Sequence, residues 1–213
     1  FSYWFMGDFE KSKQYIELAY RDFDPDLHKG LAGRFGQELG VSLHCLLSLH
    51  AAMVGASQTS QTHIDEAERV ADASGDVQSI CYLKVLRSLV SYTNGDLEDA
   101  RRCLVELKPI VQEHRLVLWL AYVTLFEELL TAGQGNKDSI ARYKSADAAI
   151  IALHCCFFMP QLRVSAGWAA LAMGLVEDAR DLAAMAQKLI DQTGEANSLA
   201  ELLRLQEIGR AHV

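Results

Sequence analysis

The chain is predicted to be all-α, a right-handed α-solenoid of paired helices, on three observations. A small residue, a larger one four positions on and another buried-type residue three further on recur five times. The sets are Ser12-Ile16-Ala19, Ser60-Ile64-Ala67, Ala100-Leu104-Leu107, Ser139-Tyr143-Ala146 and Ala179-Ala183-Ala186. Their first members stand 48, 40, 39 and 40 residues apart, and a near-constant spacing of that size is the signature of a stacked helical repeat. Only 3 prolines interrupt a chain rich in Ala, Leu, Glu and Asp, and no stretch alternates polar and apolar residues long enough to make a sheet. Half of the 213 residues are hydrophobic, enough to line the core of about five to six hairpins without a metal or disulfide.

The elements follow in order. Gly7-Asp8 opens a helix near 8–21 that carries the first set. Residues 22–40, DFDPDLHKGLAGRFGQELG, hold the excess of the 48-residue step: Pro25 breaks the helix, and Gly30, Gly33, Gly36 and Gly40 allow tight turns. Helices near 38–53 and 59–74 are joined by Gly55-Ala56-Ser57, and those near 77–93 and 96–114 by Asn94-Gly95-Asp96. Pro109 is expected to kink the latter. Gly133-Gln134-Gly135-Asn136 joins 116–132 to 137–153, and Gly174-Leu175 joins 158–173 to 176–193, with Pro160 near a helix start where its missing donor is tolerated. A last helix runs from Ala196 to about Glu207 without a partner. Glycine in these turns accepts the left-handed conformation that ends one helix, and in at least three of them a following Asp or Asn can cap the next. Residues at i, i+4 and i+7 share one helix stripe, so the small residues let paired helices approach closely.

Composition narrows the function. The net charge of −8 is spread without a basic cluster, which argues against direct contact with nucleic-acid phosphates and toward a protein partner. The apolar run from Leu116 to Phe126 is too short to cross a bilayer, so no membrane association is expected. Five cysteines without paired spacing point to reduced thiols and a cytoplasmic setting. The chain starts at Phe1, and Ile208 to Val213 reads IGRAHV, which resembles a translated sequencing adapter. Residues 208–213 are therefore expected to be a non-native tail, and residues 1–207 one repeat array cut at both ends.

Three constellations invite a chemical reading. His44, Cys45 and His50 have metal-ligating side chains, but a six-residue step places the imidazoles on different helix faces. His154-Cys155-Cys156 has no second ligand pair at matching spacing, and packing as small hydrophobes is the plainer reading. Asp24, Asp26 and His28 form the one compact carboxylate–imidazole group, for which a turn-shaping role is expected because no nucleophile or pocket accompanies it. Neither a catalytic residue, a metal nor a cofactor is expected.

The order FDPDLH, FGQELGV, a hairpin, EHRLVLWLAYVTLFEELLTAGQGNKDSIARY and TGEANSLAELLRLQE resembles the C-terminal tetratricopeptide-like region of large bacterial signalling proteins. In these, a class III nucleotide cyclase or a winged-helix DNA-binding domain precedes a STAND-type ATPase and then the array. The resemblance covers about residues 7–207. Its most specific pieces are Asp24-Pro25 with His28, resembling Tyr-Asp-Pro-x-x-His, and Phe35-Gly36-Gln37 with Gly40-Val41, resembling Phe-Gly-Gln-Asp-Pro-Gly-Val. Phe23 stands in place of the tyrosine and Glu38-Leu39 in place of Asp-Pro. A period near 40 exceeds the roughly 34 residues of the ordinary tetratricopeptide unit.

The resemblance implies a non-enzymatic module whose parent chain carries the cyclase or ATPase chemistry; this chain has no G-x4-G-K-[ST] phosphate loop. It also implies a concave face lined by the first helices: Tyr82, Leu89 and Tyr92, then Thr124 and Glu128, then Gln161 and Trp168. Mixed aromatic and polar side chains suit a peptide partner, attached domains of the same protein included, while packing between repeats is the alternative for each residue. Two further readings stay open: a small-molecule effector sensor that closes around its ligand, and a structural spacer.

Overall fold

Glycine and capping residues cut the sequence into helices at the expected places. A computed structural model describes residues 2–28 and 30–211, except the side chains of residues 25, 210 and 211. All of the regular structure among these residues is helical. In chain order the helices are α1 Ser2–Phe5, α2 Phe9–Asp22, α3 Pro25–His28, α4 Ala32–Phe35, α5 Leu39–Met53, α6 Ser57–Ser74 and α7 Val77–Thr93. They continue with α8 Leu97–Glu113, α9 Val117–Ala132, α10 Asp138–Ala152, α11 Met159–Ala172, α12 Val176–Thr193 and α13 Leu199–Ala211. The ten long helices fall where the punctuation predicts them. The short α1, α3 and α4 were not foreseen. Helix α8 runs through Pro109 without a break, and α11 takes Pro160 in its first turn. Of the expected tail, residues 212 and 213 lie outside the described residues, and α13 extends to Ala211.

The turn between α7 and α8 shows how the boundaries arise. Gly95 takes φ +80°, a conformation costly for a side chain with a Cβ. Asp96 then accepts a hydrogen bond from the amide of Asp99 at 3.0 Å, capping α8. Gly55 and Gly174 occupy the same left-handed region at +74°.

The chain divides into two compact units: residues 9–123, the N-unit, and residues 1–8 with 124–213, the C-unit. In the N-unit the stripes of α6 and α8 are core: Ser60, Ile64, Ala67, Ala100, Leu104 and Leu107 are all buried. On α2, Ser12 and Ile16 are buried but Ala19 is exposed, a departure from the expected stripe. Ser48 of α5 meets Ser60 of α6 at 2.9 Å, hydroxyl to hydroxyl, and Ser88 of α7 donates to the carbonyl of Ala100 on α8 at 3.3 Å. Both pairs lie 12 residues apart. Arg87 of α7 grips Asp99 of α8 through Nε at 3.1 Å and Nη2 at 2.9 Å and pairs with Glu68 of α6 at 2.6 Å.

The C-unit repeats this design. Ser139, Tyr143 and Ala146 of α10 and Ala179, Ala183 and Ala186 of α12 are buried. Gly167 of α11 faces Ala179, again 12 residues on, and a Cβ there would lie 3.6 Å from the Ala179 carbonyl and 2.5 Å from Leu205 Cδ2. Arg163 of α11 binds both carboxylate oxygens of Asp147 on α10, at 2.7 and 2.9 Å, and the carbonyl of Met185 on α12 at 2.8 Å. This pair is almost wholly buried, so losing one partner would leave an uncompensated charge.

Glu195, between α12 and α13, is a buried carboxylate of another kind. One oxygen accepts the Phe158 amide, and Oε1 has no hydrogen-bond partner among the described residues. Burial pushes its carboxyl up to about 8, only partly opposed by the Phe158 amide.

Leucine at Ala179 should destabilise the C-unit by about 1–3 kcal/mol in urea unfolding, because the paired helix cannot move away, whereas leucine at the exposed Ala19 should change stability by less than about 0.5 kcal/mol. The protonated native Glu195 resists ionisation that the unfolded chain permits above its ordinary pH range. Native stability therefore falls as pH rises from about 4.5 to about 8. Glu195→Gln should match the parent at pH 4 and melt at progressively higher temperature than it toward pH 8; an unchanged difference across that range in calorimetry would contradict this assignment.

Candidate functional site

Asp22 ends α2, and the chain then makes the irregular passage that carries the most specific sequence pieces. Asp24 Oδ1 accepts the amides of Asp26 at 2.9 Å and Leu27 at 3.1 Å, organising the first turn of α3. Those two amides, Leu27 first, hold the Asp24 carboxyl below its ordinary range. His28 Nδ1 lies 3.0 Å from the Asp24 amide, and its ring stacks on Phe23 with centroids 5.6 Å apart. Asp24 and His28 are thus occupied in shaping the turn, to which Asp26 contributes its amide, while Asp26 and His28 also line the cleft beneath the loop. The side chain of Pro25 lies outside the described residues.

Phe23 explains the glycine at position 40. A Cβ on Gly40 would sit 2.9 Å from Phe23 Cζ and 3.1 Å from Val70 Cγ1, so the loop and α6 both close on bare backbone. Gly36 ends α4 at φ +82°, Gln37 Nε2 donates to Ser42 Oγ at 2.6 Å, and the Glu38 amide donates to Ser79 Oγ on α7 at 2.8 Å. Glu38 Oε1 accepts the Gly30 amide at 3.1 Å, tying the loop's two halves together. Phe35 points away: it is exposed, with the Arg34 guanidinium 5.4 Å from its ring centroid.

Beneath the loop lies a cleft of about 410 Å³, lined by Phe23, His28, Gly30, Glu38, Arg69 and Val70 among others. It offers an aromatic wall, a buried carboxylate and a guanidinium, a combination suited to a small polar molecule with an apolar edge. Sequence reasoning identified the loop but not Arg69 or Val70, which reach it from α6.

The expected concave residues separate. Tyr82 and Leu89 are 3% and 2% exposed, a correction to their assignment as partner-binding: they are core residues of the N-unit. Helix α7 is covered on most sides, and its polar residues Lys84, Arg87 and Ser88 pair with α6 and α8, so polarity along the sequence does not mark which side meets solvent. Tyr92 is half-buried. In the C-unit Thr124 is exposed, while Glu128, Gln161 and Trp168 are half-buried. Glu128 accepts Arg142 at 2.9 Å, Gln161 accepts Asn197 at 3.3 Å, and the Arg204 guanidinium lies 5.9 Å from the Trp168 ring centroid. Trp119, not foreseen, donates to Gln78 at 2.7 Å and meets Tyr82 edge-on.

His44 and His50 do part: His44 Nδ1 lies 3.2 Å from His63 Nδ1 on α6, and His50 Nε2 lies 2.9 Å from Ser12 Oγ on α2. Among the described residues no three His, Cys, Asp or Glu side chains are placed to hold a metal ion, and no helix is long and apolar enough to cross a membrane. All five cysteines are thiols, with Cys45, Cys81 and Cys103 buried. Comparison with protein-family models, characterised proteins and solved structures gave no significant match.

Gly40→Ala should destabilise the N-unit by about 1–3 kcal/mol by driving a methyl group into Phe23 and Val70. Adding Phe23→Leu to it should recover part of that loss in the same denaturation assay; strict additivity of the two changes would show that Phe23 does not impose the glycine.

Proposed function

We propose that this chain is a non-catalytic, tetratricopeptide-like repeat module that binds a protein or peptide partner and regulates an attached nucleotide-binding signalling domain, either a cyclase with its ATPase or a transcription regulator. The observation that carries this reading is the recurrence of one helix-pair design. Small residues 12 positions apart meet at Ser48 and Ser60, Ser88 and Ala100, and Gly167 and Ala179, in step with a sequence period near 40. Stacked units of this kind supply extended surface, and surface is what a partner-binding regulator uses. The family resemblance of the 22–40 loop supports the attachment to a signalling enzyme, and the negative charge favours a basic partner.

A second reading, a sensor for a small effector, is favoured by the cleft under the loop, whose volume of about 410 Å³ suits a small ligand. A ligand held there would raise the melting temperature of the purified chain with concentration, and Arg69→Ala would abolish the rise.

In the full-length protein, deletion of residues 1–207 should change basal or stimulated cyclase or ATPase activity by about fivefold or more, the range typical of coupling between sites. Activity that is the same with and without the array would overturn the regulatory reading.

A further inference from the structure

Helix α1 has four residues, too few to persist alone in water. It belongs to the C-unit, although the residues that follow it, from Phe9 to Val123, form the other unit. Its anchoring is local. The Phe5 ring lies 5.1 Å from Phe157 and 5.3 Å from Phe158, centroid to centroid, and those two rings meet each other edge-on at 4.4 Å. The Phe5 carbonyl accepts the amide of Ala196. Trp4 beside it is 1% exposed. Gly7, at φ +77°, passes so close that a Cβ would stand 3.1 Å from the Ala196 carbonyl.

Part of the receiving face is held by contacts from outside that segment. Phe158 sits at φ +59°, a conformation costly for a bulky residue. It is held there between the first turn of α11 and the buried Glu195 carboxylate, which takes its amide. Glu195 directly precedes Ala196, whose amide holds Phe5. Glu195 thus ties the aromatic wall to the short stretch of chain that carries the backbone donor. Adjacent aromatic anchors, one directed backbone bond and a glycine at the exit are the means by which a protein recognises a short peptide.

We propose that Phe157, Phe158 and the Ala196 amide form a docking site for a short helical segment bearing adjacent aromatic residues followed by glycine, and that residues 2–8 occupy it as a detachable latch. The proposal does not depend on which signalling domain the array serves: the deletion test above can fail while this binding persists.

The test uses the full chain, parent and Phe5→Ala, titrated into a fluorescent synthetic peptide of residues 1–8 and followed by anisotropy, with circular dichroism reporting the fold. The Phe5→Ala chain, its latch weakened, should bind the peptide about tenfold or more tightly than the parent chain, whose own segment competes. The same peptide carrying Phe5→Ala should bind the variant chain about tenfold or more weakly. In hydrogen exchange the Ala196 amide of the variant chain should lose protection and regain it on adding peptide. A folded variant chain that binds neither peptide, or both equally, overturns the proposal. So does a variant chain that loses its helical content, since residues 2–8 would then be indispensable core and no latch.

Discussion

Close approach of two helices at a pair of small residues is the constraint on which the rest of the structure depends. Helix axes can come within the short end of the packing range only where side chains are small on both sides. Here that condition recurs at Ser48 and Ser60, Ser88 and Ala100, and Gly167 and Ala179. The constant 12-residue separation fixes the turn between the helices: too few residues remain for anything but a tight reversal, and glycine supplies it at Gly55, Gly95 and Gly174. Larger residues above and below each close point, such as Ile64 and Leu104, then fill the space where the helices diverge.

Charged clamps follow from the same geometry. Arg87 and Arg163 stand on first helices near the close points, each within reach of a neighbouring second helix, and both find bidentate carboxylates in Asp99 and Asp147. Such pairs add little net stability compared with an apolar core, but they penalise any shift in register, because a buried guanidinium without its partner is costly. The 22–40 passage departs from the pattern through one substitution of backbone for side chain. Gly40 lets Phe23 lie on the start of α5, and the stacked His28 and capped Asp24 follow from that position. The cleft beneath exists because the loop is propped on these contacts and on Glu38.

Much of this was legible in the sequence. Most of the ten long helices could be placed because Gly, Asn or Asp marks a turn beside them, and the buried stripes because small residues recur at helical spacing. The α8–α9 and α10–α11 turns instead pass through Arg115 and His154 at positive φ with no glycine. The 22–40 segment stood out as irregular, though nothing in it revealed that Phe23 dictates Gly40 across seventeen positions. The functional surface was harder to read. Tyr82 and Leu89 lie on a helix whose polar residues Lys84, Arg87 and Ser88 are taken up by neighbouring helices, so periodicity could not separate groove from core. Ala19 repeats the spacing of buried residues but lies where no helix covers it. Residues 2–8 and Glu195 were missed because their roles arise from contacts between distant parts of the chain, with no local pattern to mark them.

The claim that small residues set the register of these three helix pairs is tested most directly by crosslinking. With the Ser48 and Ser60 hydroxyls 2.9 Å apart, Ser48→Cys with Ser60→Cys brings two thiols within the range that a disulfide spans. In the folded chain under mild oxidation that pair should close nearly completely, as read by peptide mapping, while Ser48→Cys with Ile64→Cys, one helical turn away, should remain reduced. Failure of the first pair to close, or equal closure of both, would contradict the account.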